Sequence, residues 1–128
     1  MRKKILVVDD NKDLVEVLRL SLKHAGFSIA TATNGIEALK KARSVSPDLI
    51  LLDLMLPELD GFAVCETLRK DPTTASIPIL ILSGLTSQLA RLAGLESGGT
   101  EFIAKPMNPG SLVSRIKTML KPPVPQRA

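Results

Sequence analysis

The stretch Asp48-Leu49-Ile50-Leu51-Leu52-Asp53, followed by Leu54-Met55-Leu56-Pro57-Glu58-Leu59-Asp60-Gly61, decides how the rest of the chain is read. Its short apolar run, bounded by turn residues, has the signature of a strand buried on both faces. It closes on a carboxylate, Asp53, where the chain leaves the sheet. A second apolar run, Ile5-Leu6-Val7-Val8, also ends in acids, Asp9 and Asp10. In open α/β sheets, ligands bind outside the carboxyl ends of the strands, so these three acids are expected to meet.

Working outward, apolar runs alternate with helix-period segments, five of each, which argues for βαβ units and a parallel sheet. Strands are expected at about Lys4–Asp9, Phe27–Thr31, the Asp53 run, Ile77–Leu82 and Thr100–Ala104. Helices are expected at about Asn11–Ala25, from the Asn34 cap to Val45, Gly61–Lys70, Ser87–Glu96, and from the Asn108-Pro109 start to Leu120. Gly26, Ser46-Pro47 and Asp71-Pro72 end three of these helices. Residues 1–120 thus form one domain. The stretch Lys121-Pro-Pro-Val-Pro-Gln-Arg-Ala128 is a Pro-rich tail or the start of a linker.

Composition narrows the function classes. The chain has 128 residues, 45% of them hydrophobic, with no Trp or Tyr and three Phe. That gives one globular domain with an aliphatic core and no aromatic platform for nucleic acid bases. Net charge is +4, but the positive residues are scattered and no recognition helix or finger pattern appears, so direct nucleic acid binding by this domain is not expected. A single cysteine, Cys65, excludes an internal disulfide and fits a reducing compartment; it reads as a small buried apolar residue. No run reaches the roughly 18 apolar residues of a membrane span. Met1-Arg2-Lys3-Lys4 leads into a strand without a secretory h-region. The expected location is cytoplasmic, with no membrane partner.

The acids have a bland reading: Asp9 or Asp10 could cap the following helix, and Asp53 could be a turn residue before Pro57 and Gly61. The other strand ends weigh against it. The fourth expected strand ends at Ser83-Gly84 and the fifth at Lys105-Pro106, so one edge carries Asp-Asp, Asp, Ser and Lys. Clustered carboxylates repel one another, and a hard oxygen-seeking cation such as Mg²⁺ (or Mn²⁺) relieves that repulsion. Asp10 and Asp53 would be its carboxylate ligands, with Asp9 acting directly or through water, and the backbone carbonyl of Met55 a further oxygen. A carboxylate is also a competent nucleophile toward phosphorus, with Lys105 as the cation that neutralises phosphoryl charge and Ser83 as a hydroxyl donor. Pro106 admits a cis bond that would aim Lys105 inward.

Four motifs carry a resemblance: Val7-Val8-Asp9-Asp10-Asn11, Asp53 through Gly61, Ile81-Leu82-Ser83-Gly84, and Phe102-Ile103-Ala104-Lys105-Pro106. In order and spacing the chain resembles, over Lys3–Leu120, a receiver domain of two-component response regulators. The resemblance implies a flavodoxin-like sheet of order 2-1-3-4-5 with five helices. It makes Asp53 the phosphoacceptor, Asp9 and Asp10 the acidic metal pair, Lys105 the conserved-type lysine, and Ser83 and Phe102 the switch pair. It also implies a signalling module of a phosphorelay, which catalyses its own phosphoryl transfer from a histidine kinase or histidine phosphotransfer protein and its own dephosphorylation. Phosphorylation would remodel the surface around residues 84–108 for a downstream effector protein or domain.

Departures from the family pattern are a Phe in place of the frequent Tyr at position 102, Gly84 after the switch hydroxyl, and a basic net charge. The stretch Leu85–Leu95 is unusually apolar; a phosphorylation-dependent homodimer or partner site and plain core packing account for it equally. The same two readings apply to Leu14 and Val17 beside the acidic pair, either a kinase-docking face or core. Met55 and Leu85 occupy positions that in relatives tune access of hydrolytic water; both are apolar, so a long-lived phospho-form is expected. His24 reads as a cation favourable to its helix dipole. An aspartate-nucleophile phosphatase would want an acid at position 55, and a flavodoxin a phosphate-cradling loop where Asp9-Asp10 stand. A pseudo-receiver would lack part of the acidic set, which is complete.

Overall fold

The structure is a computed structural model and describes residues 2–85 and 87–121. Ten elements alternate along the chain: β1 (Lys4–Val8), α1 (Lys12–His24), β2 (Ser28–Ala32), α2 (Gly35–Val45), β3 (Leu49–Leu52), α3 (Gly61–Lys70), β4 (Ile79–Ser83), α4 (Gln88–Glu96), β5 (Glu101–Ala104) and α5 (Pro109–Met119). The strands form one parallel sheet of order β2-β1-β3-β4-β5, as the resemblance implies. Beyond Lys121, the expected Pro-rich tail lies outside the described residues.

Strand alternation divides the core into two. Leu6, Val8, Ile50, Leu52, Ile79 and Ile81 face one side and pack with Ala38 and Ala42 of α2 and with Val64, Cys65 and Leu68 of α3. Ile5, Val7, Leu49, Leu51, Leu80 and Leu82 face the other and pack with Leu18 and Leu22 of α1 and with Leu112 and Ile116 of α5. The period of two in the strands and the 3.6 period in the helices put these residues face to face. Each fully buried Leu or Ile contributes about 1.5–3 kcal/mol relative to exposure. The central strands β1, β3 and β4 are buried on both faces, which explains their nearly unbroken apolar sequence.

The helix starts are set by side-chain caps. Asn11, Asn34, Asp60, Ser87 and Asn108 each accept a hydrogen bond from a backbone N–H in the first turn of the following helix. The Glu37 carboxylate also reaches back to the Thr33 N–H at 3.0 Å, in the manner of a capping box. Helix α4 is seated through Gly94: a Cβ there would lie 2.9 Å from Ile81 Cδ1.

Strand β5 begins one residue later than expected, at Glu101, and β2 and β4 also begin later, for local reasons. The Phe27 N–H is taken by Leu22 O at the end of α1, so β2 starts at Ser28. Ile77 O accepts from the Arg69 guanidinium at 2.6 Å, and Pro78 has no N–H to give the ladder; β4 therefore starts at Ile79.

With α1 and α5 on one face and α2, α3 and α4 on the other, the direction in which successive strands are added across the sheet reverses between the neighbouring parallel strands β1 and β3. That reversal is where a crevice opens in such sheets, and Asp9 and Asp53 each lie one residue past the ends of those two strands.

Candidate functional site

Backbone pairing continues just past the strand ends and fixes the acids in place. The Asp9 N–H donates to Ala32 O at 3.1 Å and the Asp53 N–H to Val8 O at 3.0 Å. Neither Asp9 nor Asp10 caps α1; Asn11 does. Asp9 instead accepts from the Asn11 N–H through Oδ1 at 2.9 Å, which leaves its other oxygen for the site. Asp9 is 2% exposed and Asp53 5% exposed, while Asp10 stands open to solvent. Carboxylate oxygens of the three lie within 4.8 Å of one another, so the acids read from two strand ends form one cluster.

Lys105 completes it from β5. Its Nζ donates to Asp9 Oδ2 at 2.7 Å and to Asp53 Oδ2 at 3.4 Å. The Lys105 N–H donates to Ser83 O at 2.9 Å, tying the ends of β4 and β5 together, and the Lys105–Pro106 bond is cis. The Ser83 side chain is fully buried and its hydroxyl oxygen accepts from the Leu85 N–H at 3.2 Å. On the neighbouring strand Phe102, in register with Ile81, is half-buried, and the Arg91 guanidinium of α4 lies 5.9 Å from its ring centroid, a cation–π distance. Met55 meets the site through its N–H, which donates to Asp53 Oδ1 at 3.2 Å.

The electrostatics follow from this packing. Burial pushes the Asp53 carboxyl above the ordinary Asp value; the Met55 N–H draws it back, the Asp9 charge raises it again, and Lys105 opposes the rise without cancelling it. For Lys105, burial lowers the ammonium pKa, but the hydrogen bond to Asp9 and the Asp53 charge outweigh it and leave a net rise. The cluster sets three carboxyl groups against one ammonium, with Asp9 and Asp53 buried. All the side-chain donors are hard oxygens, which suits Mg²⁺ or Mn²⁺ better than a softer metal.

Beside the acids runs a groove of about 550 Å³ lined by Asp10, Leu54, Met55, Leu56, Pro57, Asp60, Phe62 and Leu85. Met55 and Leu85 were singled out from the sequence; Leu56, Phe62 and the groove they make were not. The signal was present in Leu56-Pro57 and in the apolar Phe62 at the second position of α3; Leu56 and Phe62 also pack against the core. Elsewhere, Cys65 is buried and its thiol is pushed up to about 11 by burial, in keeping with a packing role. Leu14 is half-buried and Val17 exposed on α1; with Met107 and Pro109 they line a groove that reaches Lys105. His24 is exposed in the last turn of α1.

Comparison with known proteins gives a consistent result. The family model described as "Response regulator receiver domain" matches residues 5–117. The alkaline phosphatase synthesis transcriptional regulatory protein PhoP of Bacillus subtilis is 43% identical over 121 residues, which is 94% of this chain and 50% of that protein. The DNA-binding response regulator MtrA of Mycobacterium tuberculosis is also 43% identical, over 94% of this chain and 52% of its own length. The chain thus spans about half the length of the curated relatives it matches. Among solved structures, a response regulator from Chloroflexus aurantiacus superposes with a TM-score of 0.89 at 37% identity, covering 94% of this chain and 98% of that one. The chemotaxis response regulator CheY4 of Vibrio cholerae superposes at 0.88 with 32% identity, covering 94% and 100%.

Proposed function

The chain belongs to the response regulator receiver domain family, and on that premise we propose that Asp53 is its phosphoacceptor, with a divalent cation held by Asp9, Asp10 and Asp53. As a receiver it is a signalling module of two-component systems. The observation that carries the site assignment is the near-buried Asp53 carboxylate, grouped with two further carboxylates within 4.8 Å and reached by Lys105 Nζ. The donor is a phosphohistidine of a histidine kinase or histidine phosphotransfer protein.

In the reaction an Asp53 oxygen forms the new O–P bond as the P–N bond of the donor breaks, and the imidazole leaves with the electron pair and takes up a proton. Bound Mg²⁺ (or Mn²⁺) would neutralise charge on the phosphoryl oxygens, held by the three carboxylates with the Met55 backbone carbonyl as a further oxygen. Lys105 supplies a second positive charge from the side of β5, and the Met55 N–H steadies the Asp53 carboxylate. The same residues serve the slower hydrolysis that returns the free acid.

The readout is proposed to run through Ser83 and Phe102. Phosphorylation adds about one to two negative charges and strong acceptors. Ser83 exchanges its bond from the Leu85 N–H for one it donates to the phosphoryl group, and Phe102 fills the space behind it. Helix α4 presents Leu89 and Leu92, 78% and 58% exposed, so its apolar face is not fully used in the core. That face is the proposed output surface toward an effector protein or domain, or a second copy of the chain. Among the described residues, no helix is long and apolar enough to cross a membrane, in keeping with a proposed cytoplasmic location.

The test of the assignment is intact mass after incubation with acetyl phosphate and Mg²⁺. The wild type is expected to gain one phosphoryl group and Asp53→Ala none; a wild type without the gain overturns the reading. Light scattering with and without beryllofluoride tests the surface, and a monomer in both states counts against dimerisation as the output.

A further inference from the structure

At the end of the sheet away from the acids, cationic side chains gather round a cavity of about 200 Å³ lined by Arg2, Arg19, Lys23, Phe27, Ser28 and Ile29. The local fold brings them together. The Ser28 N–H donates to Lys3 O at 2.9 Å, which sets Arg2, just ahead of β1, beside the start of β2. The Phe27 N–H donates to Leu22 O at 3.1 Å and Gly26 takes a φ of 100°, so the start of β2 is turned back to the end of α1. Arg19 and Lys23 stand four residues apart in α1, on one helix face.

The fold itself makes little use of these charges. Like charges at that spacing destabilise a helix. Lys23 favours the α1 dipole, but the carbonyls of Ser21, Leu22 and Lys23 already accept from the Ala25, Phe27 and Gly26 N–H groups. Among the described residues the exposed Arg2 and Lys23 make no ion pair. Arg19 gives Nε and Nη2 to Glu16 at 3.0 and 2.6 Å and keeps Nη1. No carboxylate lines the cavity, so three cations against the one acid that pairs with Arg19 leave two positive charges there.

We propose that this cavity is a binding site for a phosphate dianion, free or carried by a small monoester. Arg2, Lys23 and Arg19 Nη1 hold the oxygens, and the Ser28 hydroxyl adds a donor. Guanidinium groups match phosphate in geometry as well as in charge, and a dianion balances the two uncompensated positive charges. The cavity is smaller than the roughly 300 Å³ at which pockets for drug-sized ligands begin, which favours a single phosphate group with little attached to it. The site shares no residue with the acid cluster, so it stands or falls apart from the role of Asp53.

The experiment is a titration of the full chain in chelator, followed by amide ¹H–¹⁵N spectra, with inorganic phosphate and separately with glycerol phosphate. Chloride at the same ionic strength is the blank, and the pH is held above the second phosphate pKa of about 6. Saturable shifts are expected at Lys23, Phe27, Ser28 and Ile29, with Asp53 and Met55 unmoved. Tighter binding of glycerol phosphate assigns the site to an organic monoester, and equal or weaker binding to free phosphate. Arg2→Gln and Lys23→Gln are each expected to weaken binding roughly fivefold. Lys117→Gln, which removes an exposed cation of α5 outside the cavity, should weaken it less than about twofold. Glu16→Gln frees the whole Arg19 fork and should tighten binding about twofold or more. All four positions are exposed, so the variants fold. Shifts that only rise linearly with phosphate, Arg2 and Lys23 variants that lose no more than Lys117→Gln, or a Glu16→Gln that binds no tighter, each overturn the proposal.

Discussion

Gly61 rests directly on the carbonyl of Asp53: a Cβ at Gly61 would lie 2.5 Å from that oxygen and 2.5 Å from Leu54 Cα. The Gly61 N–H donates to Leu54 O at 2.9 Å, so the first residue of α3 closes a tight loop back onto the residues that follow β3. The loop from 54 to 60 is thereby held against the chain end that carries the candidate phosphoacceptor.

Gly61→Ala is therefore expected to lower stability by about 1–3 kcal/mol, because backbone atoms and not a movable side chain stand in the way. Urea unfolding gives the loss, and the amide shifts of Asp53 and Met55 should move in the folded variant. An unchanged midpoint would show that the loop yields without cost.

Asp53→Asn, studied in chelator, is expected to raise the unfolding midpoint at neutral pH. Burial holds the Asp53 carboxyl above its ordinary value, so over that window the folded state binds more protons than the unfolded state. Stability then falls as pH rises from the ordinary Asp value through the raised one, and the penalty persists above it. The advantage of the amide should accordingly shrink to nothing as pH is lowered through the same window. Thermal melts of both proteins across pH check this, and a gain that grows toward acid would contradict it.

Arg69 gathers four acceptors from two stretches of chain: Nε to Gly98 O at 2.9 Å, Nη1 to Ala75 O at 2.9 Å and Ile77 O at 2.6 Å, and Nη2 to Thr100 Oγ1 at 3.3 Å. A lysine has three donors on a single nitrogen and cannot span that fork. Arg69→Lys is expected to cost about 1–3 kcal/mol in urea. Hydrogen exchange should be fastest to respond at the turn joining α4 to β5, and a loss spread evenly over the sheet would argue against the clamp.

Arg69 also marks the limit of what the chain discloses when read as a string. Periodicity in the apolar runs located all ten elements, and Asn34, Asn108 and the Gly61 start of α3 were legible because caps and turns are local chemistry. Strand order was not, since nothing in the spacing of Ile5 and Leu49 says that they become neighbours; it came from the resemblance to a family. The acids and Lys105 were legible as a set because each ends an apolar run on the same edge. Their pairing was not: the preference of Lys105 for Asp9 over Asp53, and the release of Asp9 from capping duty by Asn11, depend on side-chain placement across β1, β3 and β5. Arg69 near a helix end looks like an ordinary dipole-compensating cation until its acceptors, all distant in sequence or in loops, are assembled around it.

Met55, Leu85 and Asp10 all line the groove beside the acids. Met55 is 60% exposed and Leu85 half-buried. Neither Met55 nor Leu85 has a side-chain atom that can orient a water molecule for attack on a phosphoryl group, and Phe62 and Leu56 extend the apolar wall. The carboxylates of the lining are Asp10, read as a metal ligand, and Asp60, whose Oδ1 accepts from the Ala63 N–H. Hydrolysis needs that water held near phosphorus in line with the Asp53 oxygen, so the phospho-form should decay slowly. The double variant Met55→Asn, Leu85→Glu places an amide and a carboxylate at the groove, able to hold the water and to accept its proton. Decay of the phosphorylated protein after donor removal, followed by intact mass at constant Mg²⁺, is expected to accelerate by roughly tenfold or more, on the scale of a modest general-base contribution. Equal decay in the two proteins would mean that water reaches phosphorus by a route these side chains do not control.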